Sequence, residues 1–410
     1  MESVASRIET AVARLAPEFL EFLAESVRCQ SVTGHEEPVT EFYERELRAL
    51  GWEVRSVPLA GSALCADEPR VGQRANVVAY RPGAGDGLTV LNGHVDVVPP
   101  GDPSEWRESP FSGHVRDGRL YGRGSVDMKG GIAAAVLALA ALEDCGAQPL
   151  RDIRLELVIG EEKTGVGTRL MVEAESEAPS AVIVMEPSGG HIVPLSTGLQ
   201  FFTVEVSGMA AHTSAPWRGV DAFEKLLAAR DRLRRLAAAR SDSYSHELFQ
   251  DVPTGIPFAI GKIAAGDYPA SIPAFATMSG RMGLRPGEDP EGLRAAISAA
   301  LESLAEDDDW FRDHPAAVKW GNAGLRGWET PREHELVQSL VRAQEHVVGA
   351  ATIAAFTAGS DAAFYGGRGI PTAIFGPGDV ALAHAPDESI AVADVFTAAK
   401  VLAIALAGAV

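Results

Sequence analysis

Residues 181–185 read AVIVM, five apolar residues with no polar position among them. A run that short is strand length, and a strand without a polar face has to be covered on both sides. Residues 372–375 (TAIF) form a second such run. Helical segments alternate with these strands. Residues 130–142 (GGIAAAVLALAAL) read as an Ala-rich helix that stops near Gly146, and residues 393–407 read as another. Residues 10–50 read as helical, with Phe19, Phe22 and Leu23 on one face, followed by extended segments ending at Tyr80 and Leu91. Residues 152–159 alternate, with Ile153, Leu155, Leu157 and Ile159 on one side of a strand. The pattern predicts an α/β fold whose sheet is mainly parallel and flanked by helices.

The middle of the chain differs in kind. Residues 200–207 (QFFTVEVS) alternate like a half-exposed strand, residues 221–240 read as a long Arg-rich amphipathic helix, and residues 256–263 and 276–284 supply two further strands before a helix over 290–305. Single cores stop growing at roughly 250–300 residues. A chain of 410 residues is therefore expected to hold two domains. We place a smaller α+β unit at 198–312, inserted into a discontinuous α/β domain formed by 1–197 and 313–410.

The formal net charge of −20 argues against nucleic acid, whose binding relies on a basic surface. No uninterrupted apolar run reaches the ~18 residues of a membrane span. The opening segment, with Glu2, Arg7, Glu9 and Arg14, lacks the layout of a secretion signal. Cys29, Cys65 and Cys145 are odd in number and widely spaced, which predicts free thiols in a reducing cytoplasm. No membrane or nucleic-acid partner is expected.

Most of the 56 acids need no explanation beyond solvation. Those at strand ends do, because α/β sheets bind ligands outside the carboxyl ends of their strands. After Leu91 comes NGHVDVVP with His94 and Asp96, and after Ile159 comes GEE with Glu161 and Glu162. Glu186 follows AVIVM, His384 lies in the loop after TAIF, and Asp127 sits just before the Ala-rich helix. Acids so gathered repel one another without a cation. A two-metal centre asks for one bridging carboxylate and about two further ligands per metal. His94, Asp127, Glu162, Glu186 and His384 fill that set with nitrogen and oxygen donors suited to zinc, with cobalt or manganese as alternatives. Asp96, two residues from His94, is expected to orient its imidazole. Glu161, beside a ligand but free of the metal, is placed to act as general base.

The motifs NGHVDVVP, GRGSVDMKGG, GEE, MEPS and GPG followed by AHAPDE resemble the M20 family of metallopeptidases and deacylases, which includes acetylornithine deacetylase, succinyl-diaminopimelate desuccinylase and carboxypeptidase G. The resemblance runs from about residue 20 to the C-terminus. It implies that His94 and Glu186 hold one metal, Glu162 and His384 the other, and that Asp127 bridges them. It also implies a lid domain that pairs two subunits into a homodimer. In that lid, GMAAHTSAPWRGVDA resembles the segment whose histidine, here His212, stabilises the oxyanion.

One stretch departs from the family pattern. Where an Asn and an Arg commonly clamp a substrate carboxylate, this chain has Ala270 and Gly283. Either Arg281, with Arg285 also flanking the spot, substitutes for the clamp, or the recognised group of the substrate is not an ordinary α-carboxylate. The pattern GSDAAFYGGRGIPTAIFGPG, with Ser360 as a candidate substrate contact, most resembles acetylornithine deacetylase. The expected activity is metal-dependent hydrolysis of an amide-type C–N bond in an N-acyl amino acid or related small molecule. A dipeptidase or carboxypeptidase on the same scaffold, release of an aromatic amine, and a catalytically silent small-molecule binder are the alternatives.

Overall fold

The structure is a computed structural model that describes residues 2–62, 68–174, 177–321 and 324–410. Cys65 lies outside the described residues; Cys29 and Cys145 are free thiols. In chain order the first elements are α1 (Val4–Arg28), α2 (Glu37–Ala49), β1 (Glu53–Pro58), β2 (Ala75–Arg81), β3 (Leu88–His94), β4 (His114–Arg116), β5 (Arg119–Tyr121) and α3 (Gly130–Asp144). Then come β6 (Asp152–Val158), α4 (Val166–Ala174), β7 (Ala181–Val184) and β8 (Ile192–Ser196). The next stretch gives β9 (Gly198–Ser207), α5 (Ala222–Asp242), β10 (Phe258–Ala265), β11 (Phe275–Leu284), α6 (Pro290–Glu302), two single-turn helices α7 (Leu304–Asp307) and α8 (Trp310–Asp313), and β12 (Ala317–Trp320). The chain ends with β13 (Trp328–Glu329), α9 (Glu335–Val348), β14 (Ile353–Phe356), α10 (Ala362–Gly366), β15 (Thr372–Ile374), β16 (Ser389–Ala391) and α11 (Val392–Ala407).

These elements divide into two compact units, Met1–Pro194 with Glu329–Ala354 and Ser360–Val410, and Leu195–Trp328 with Ala355–Gly359. The boundary after the insertion therefore falls at 328 and not at 312. The reason is β12, which pairs antiparallel with β9 and completes the second unit's sheet. A four-residue strand carrying Lys319 has too little apolar pattern to be read from sequence.

The first unit is built on a sheet whose centre, β6-β3-β7-β15, is parallel throughout. Its edges are antiparallel, where β2 meets β6 and β15 meets β8. The wholly apolar β7 is buried at every position, as expected of a strand covered on both faces. The alternation in β6 has a different cause from solvent exposure. Arg154 and Glu156 on its second face are also buried, and they pair at 2.8 Å. With its preceding turn, α3 (Ser125–Asp144) is long and apolar enough to cross a bilayer, although Asp127 and Lys129 interrupt its apolar sequence. In the fold, 94% of that window is buried, and the helix packs against α1 and α11.

The second unit has a four-stranded antiparallel sheet in the order β10-β11-β9-β12. Phe202, Val204, Leu226, Leu233, Met278 and Ile297 form part of a separate core between that sheet and helices α5 and α6. Both units thus bury apolar faces of their own, the criterion for separate domains.

Candidate metal centre

Parallel pairing of β3 with β6 and β7 brings the carboxyl ends of all three strands to one edge of the sheet. His94 closes β3 and is only 1% exposed. Glycine precedes it because a Cβ at Gly93 would lie 2.7 Å from Met185 Cε and 2.9 Å from Ile132 Cγ1. Gly131, at the start of α3, answers a similar demand, since a Cβ there would lie 2.0 Å from the Met185 carbonyl oxygen. The two glycines let β3, α3 and the end of β7 close together, which brings His94, Asp127 and Glu186 within reach of one another.

His94 Nδ1 lies 2.9 Å from the backbone carbonyl of Asp96 and 3.8 Å from its carboxylate. A carbonyl only accepts, so Nδ1 carries hydrogen and the Nε2 lone pair is left to face a cation. Asp96 thus orients the imidazole through its main chain. Its carboxylate, fully buried, accepts the backbone N–H of Glu161 at 3.1 Å, that of Glu162 at 3.3 Å, and the Thr33 hydroxyl at 2.8 Å. Besides orienting the imidazole through its carbonyl, Asp96 anchors the Glu161–Glu162 turn with its carboxylate.

The Asp127 carboxylate faces both histidines, one with each oxygen. Oδ1 is 3.0 Å from His94 Nε2, and Oδ2 is 3.4 Å from His384 Nε2. Glu186 Oε2 lies 4.0 Å from His94 Nε2, and Glu162 Oε1 lies 3.1 Å from His384 Nε2. Ligand atoms of His94, Asp127 and Glu162 fall within 4.8 Å of one another, an arrangement able to hold a metal ion.

The electrostatics are those of an acid cluster short of positive charge. Burial, together with Asp127, Asp361 and Glu162, pushes Glu186 well above the usual carboxylate range, while His94 opposes the rise. Burial also lifts Glu161, helped by Glu186, Asp361 and Glu162 against the pull of His94. Asp127 goes the other way: burial would raise it, but hydrogen bonds from His384 and His94 hold it well below the ordinary range. His384, drawn by Asp127 and Glu162, is pushed up to about 10. Two imidazoles would have to carry protons to offset carboxylates that a divalent cation would satisfy directly.

Two acids that sequence reasoning left without a role also face this region. Asp361 is buried, takes the Thr168 hydroxyl at 2.7 Å, and leaves Oδ1 without a partner among the described residues. Burial raises it to about 7, against the Thr168 hydrogen bond. Glu388 is buried behind the Asp127 turn. Both lie inside quoted motifs, GSDAAF and AHAPDE. Neither stands at a strand end, the signal used to select candidates. Ser360, beside Asp361, has a buried hydroxyl with no partner among the described residues.

The other candidates lie in the second unit. His212 is exposed, and its Nδ1 accepts the backbone N–H of Ser214 at 3.1 Å. An N–H only donates, so the ring hydrogen of neutral His212 sits on Nε2. Arg281 lies on β11 opposite Phe201, gives Nη2 to the Thr357 carbonyl at 2.7 Å, and leaves Nε without a partner among the described residues. It makes no ion pair among the described residues, and burial lowers its pKa. Gly283, two residues on, could not carry an arginine without rearrangement, because a Cβ there would lie 2.7 Å from the Ile256 backbone.

Comparison with known proteins places this geometry in a family. The model of "Peptidase family M20/M25/M40" matches residues 90–407. A succinyl-diaminopimelate desuccinylase of Rhodopseudomonas palustris is 34% identical over 271 residues, 63% of this chain and 66% of the relative, so that alignment spans just under two thirds of the relative's length. An acetylornithine deacetylase of Klebsiella pneumoniae is 28% identical over 386 residues, 91% of this chain and 92% of the relative. Among solved structures, an M20 family metallo-carboxypeptidase of Sulfolobus solfataricus shares the fold with a TM-score of 0.77 at 17% identity, covering 95% of this chain and 98% of that one. A dinuclear metal-binding M20 peptidase of Bacillus subtilis does so with a TM-score of 0.67 at 16% identity, covering 96% and 98%. The family match takes in every clustered histidine and acid from His94 to His384, and the chain belongs to peptidase family M20/M25/M40.

Proposed function

We propose that this protein is a dinuclear-metal hydrolase, with zinc as its metal, that removes the acyl group from an N-acyl amino acid or a related N-acyl amine. The observation that carries the reading is the Asp127 carboxylate set between two imidazoles, with buried Glu186 on one side and Glu162 on the other. His94, Asp127 and Glu186 would hold one cation, and Asp127, Glu162 and His384 the other. When bound, the cations supply Lewis acidity to the scissile carbonyl and the attacking water.

The chain's own groups do the rest. Glu161 accepts a proton from the attacking water and returns it to the departing nitrogen, a task for which a carboxylate beside the cations is suited. The Nε2 hydrogen of His212 is available to stabilise the oxyanion. Arg281, a half-buried cation with no acid partner among the described residues, is suited to hold a substrate carboxylate. Ser360 offers its unpartnered hydroxyl to the same substrate. The relatives named for deacetylation and desuccinylation support the substrate class. A peptidase reading keeps a place because the structural neighbours include a carboxypeptidase. We further propose a cytoplasmic homodimer joined through the second unit, where edge strand β10 presents Ile263 at 52% exposure.

The test is hydrolysis of a panel by metal-loaded enzyme against a chelated control. N-acetyl-ornithine and other N-acyl amino acids are expected to turn over, dipeptides more slowly, and carboxylate-free amides not at all. Arg281→Met should raise KM for acyl amino acids. Activity confined to carboxylate-free amides would overturn the assignment of Arg281 and the substrate class with it.

A further inference from the structure

Asp127 and His384 reach the cluster from loops far apart in sequence, and neither loop is held by a long strand. What joins the loops is a buried ion pair. Arg123 and Glu388 are 2% and 1% exposed and meet at 2.5 Å. Glu388 Oε1 accepts the backbone N–H of Val126 at 2.9 Å and of Asp127 at 3.3 Å, while Oε2 takes Arg123. From the other direction Arg123 donates to the Ala385 carbonyl at 3.3 Å, one residue beyond His384. The main chain adds a further tie, Gly122 N–H to the Glu388 carbonyl at 2.9 Å, and β16 continues the contact by pairing with β5.

The His384 loop needs such support. His384 has φ +62° and Asp387 has φ +56°, left-handed conformations that residues other than glycine hold where surrounding contacts over-determine them. The carboxylate that fixes the Asp127 peptide belongs to a residue only four positions from His384. One side chain thereby sets the turn carrying the shared Asp127 and closes the loop carrying His384. His94 and Glu186, on β3 and after β7, make none of these contacts.

We infer that the Arg123–Glu388 pair is a positioning device that holds the His384 loop against the Asp127 turn, so that the cation on the His384 side depends on it and the cation on the His94 side does not. The inference rests on the dinuclear reading above. Removing a buried partner that orients a ligand typically weakens metal binding by about 10–100-fold.

The test uses the full chain, stripped of metal and titrated with cobalt(II) by calorimetry and visible absorption, with circular dichroism as the fold control. Wild type should take up two ions in two steps. Glu388→Gln keeps the shape but loses the charge, and should weaken only the looser step by ~10–100-fold and change its absorption band. It should also lower kcat more than it raises KM. Arg123→Lys, which keeps the charge but loses the reach to Ala385, should show the same effect in smaller measure. Unchanged isotherms and spectra in folded Glu388→Gln overturn the inference; if that variant does not fold, Arg123→Lys decides by the same readout. Collapse of both variants assigns the pair to global stability and overturns a positioning role. A wild type that binds no cobalt removes the dinuclear reading itself, whereas two ions bound equally in wild type and variants removes this inference alone.

Discussion

The two histidines of the cluster stand at ends built in opposite ways. His94 ends a fully buried parallel strand, is 1% exposed, and has its free nitrogen fixed by the Asp96 carbonyl. His384 lies in a loop with a left-handed backbone, and its side chain is 51% exposed. Their carboxylate partners differ less, with side-chain exposures of 7% for Glu186 and 9% for Glu162. A site formed by regular structure loses little freedom when a cation arrives, whereas a loop must give up more. On the dinuclear reading, the His94 end is then the tight site and the His384 end the exchangeable one.

The largest effect should come from a residue that belongs to neither end. On the proposed mechanism, in which the Glu161 carboxylate moves protons and holds no metal, Glu161→Gln is expected to lower turnover by roughly 10²–10⁴-fold while both cations stay bound. Metal analysis beside steady-state kinetics decides it. Loss of a cation in this variant would make Glu161 a ligand and erase the division of labour between Glu161 and Glu162. A smaller effect bears on the two ends directly. His384→Ala should keep one tightly held ion through chelator titration, while His94→Ala should lose the tight one first. Equal losses in the two variants would break the contrast between strand and loop.

The strand-borne end is also the legible one. Strands that stop at an acid or a histidine, as AVIVM stops at Glu186 and the strand through Leu91 at His94, mark the functional edge of a parallel sheet without knowledge of its neighbours. What stayed hidden was the behaviour of polar groups once buried. Asp96 lies two residues from His94, so spacing pairs it with that ring. Its carbonyl does meet that ring, but the parallel alignment of β3 with β6 also puts its carboxylate against the Glu161–Glu162 amides, a contact that only the fold creates. Glu388 and Asp361 receive no role from sequence because it does not record burial. The same holds for Arg154 and Glu156, whose buried ion pair has the alternating pattern of a half-exposed strand. The second unit's boundary was missed at β12, whose place depends on pairing with β9 across a long sequence separation.

The smallest predicted effect tests the contrast through pH. Asp361 accepts the Thr168 hydroxyl with one oxygen and leaves the other unpartnered, and burial raises it from 3.8 to about 7. The folded metal-free protein therefore keeps a proton that the unfolded chain has already released. Its contribution to stability is fully present below pH 3.8 and is lost as pH rises through 7. Asp361→Asn removes the charge while its amide oxygen can still accept from Thr168. Stripped of metal, the variant should melt above stripped wild type at pH 8, by roughly 2–4 °C for each kcal/mol of relieved strain, and the gap should close towards pH 4. Reloading with metal should narrow the gap at pH 8, because the cations offset the crowded charge. His384 has the same sign in a later window: raised to about 10 by Asp127 and Glu162, its contribution is present below 6.5 and fades as pH climbs towards 10. Solvent screens that half-exposed ring, so His384→Asn should move the melting temperature less than Asp361→Asn does. A gap for Asp361→Asn that persists unchanged at pH 4 would trace the effect to packing and leave the charge balance of the buried end untouched. A larger shift from His384→Asn would mean that the exposed loop, and not the buried acid, carries the electrostatic load.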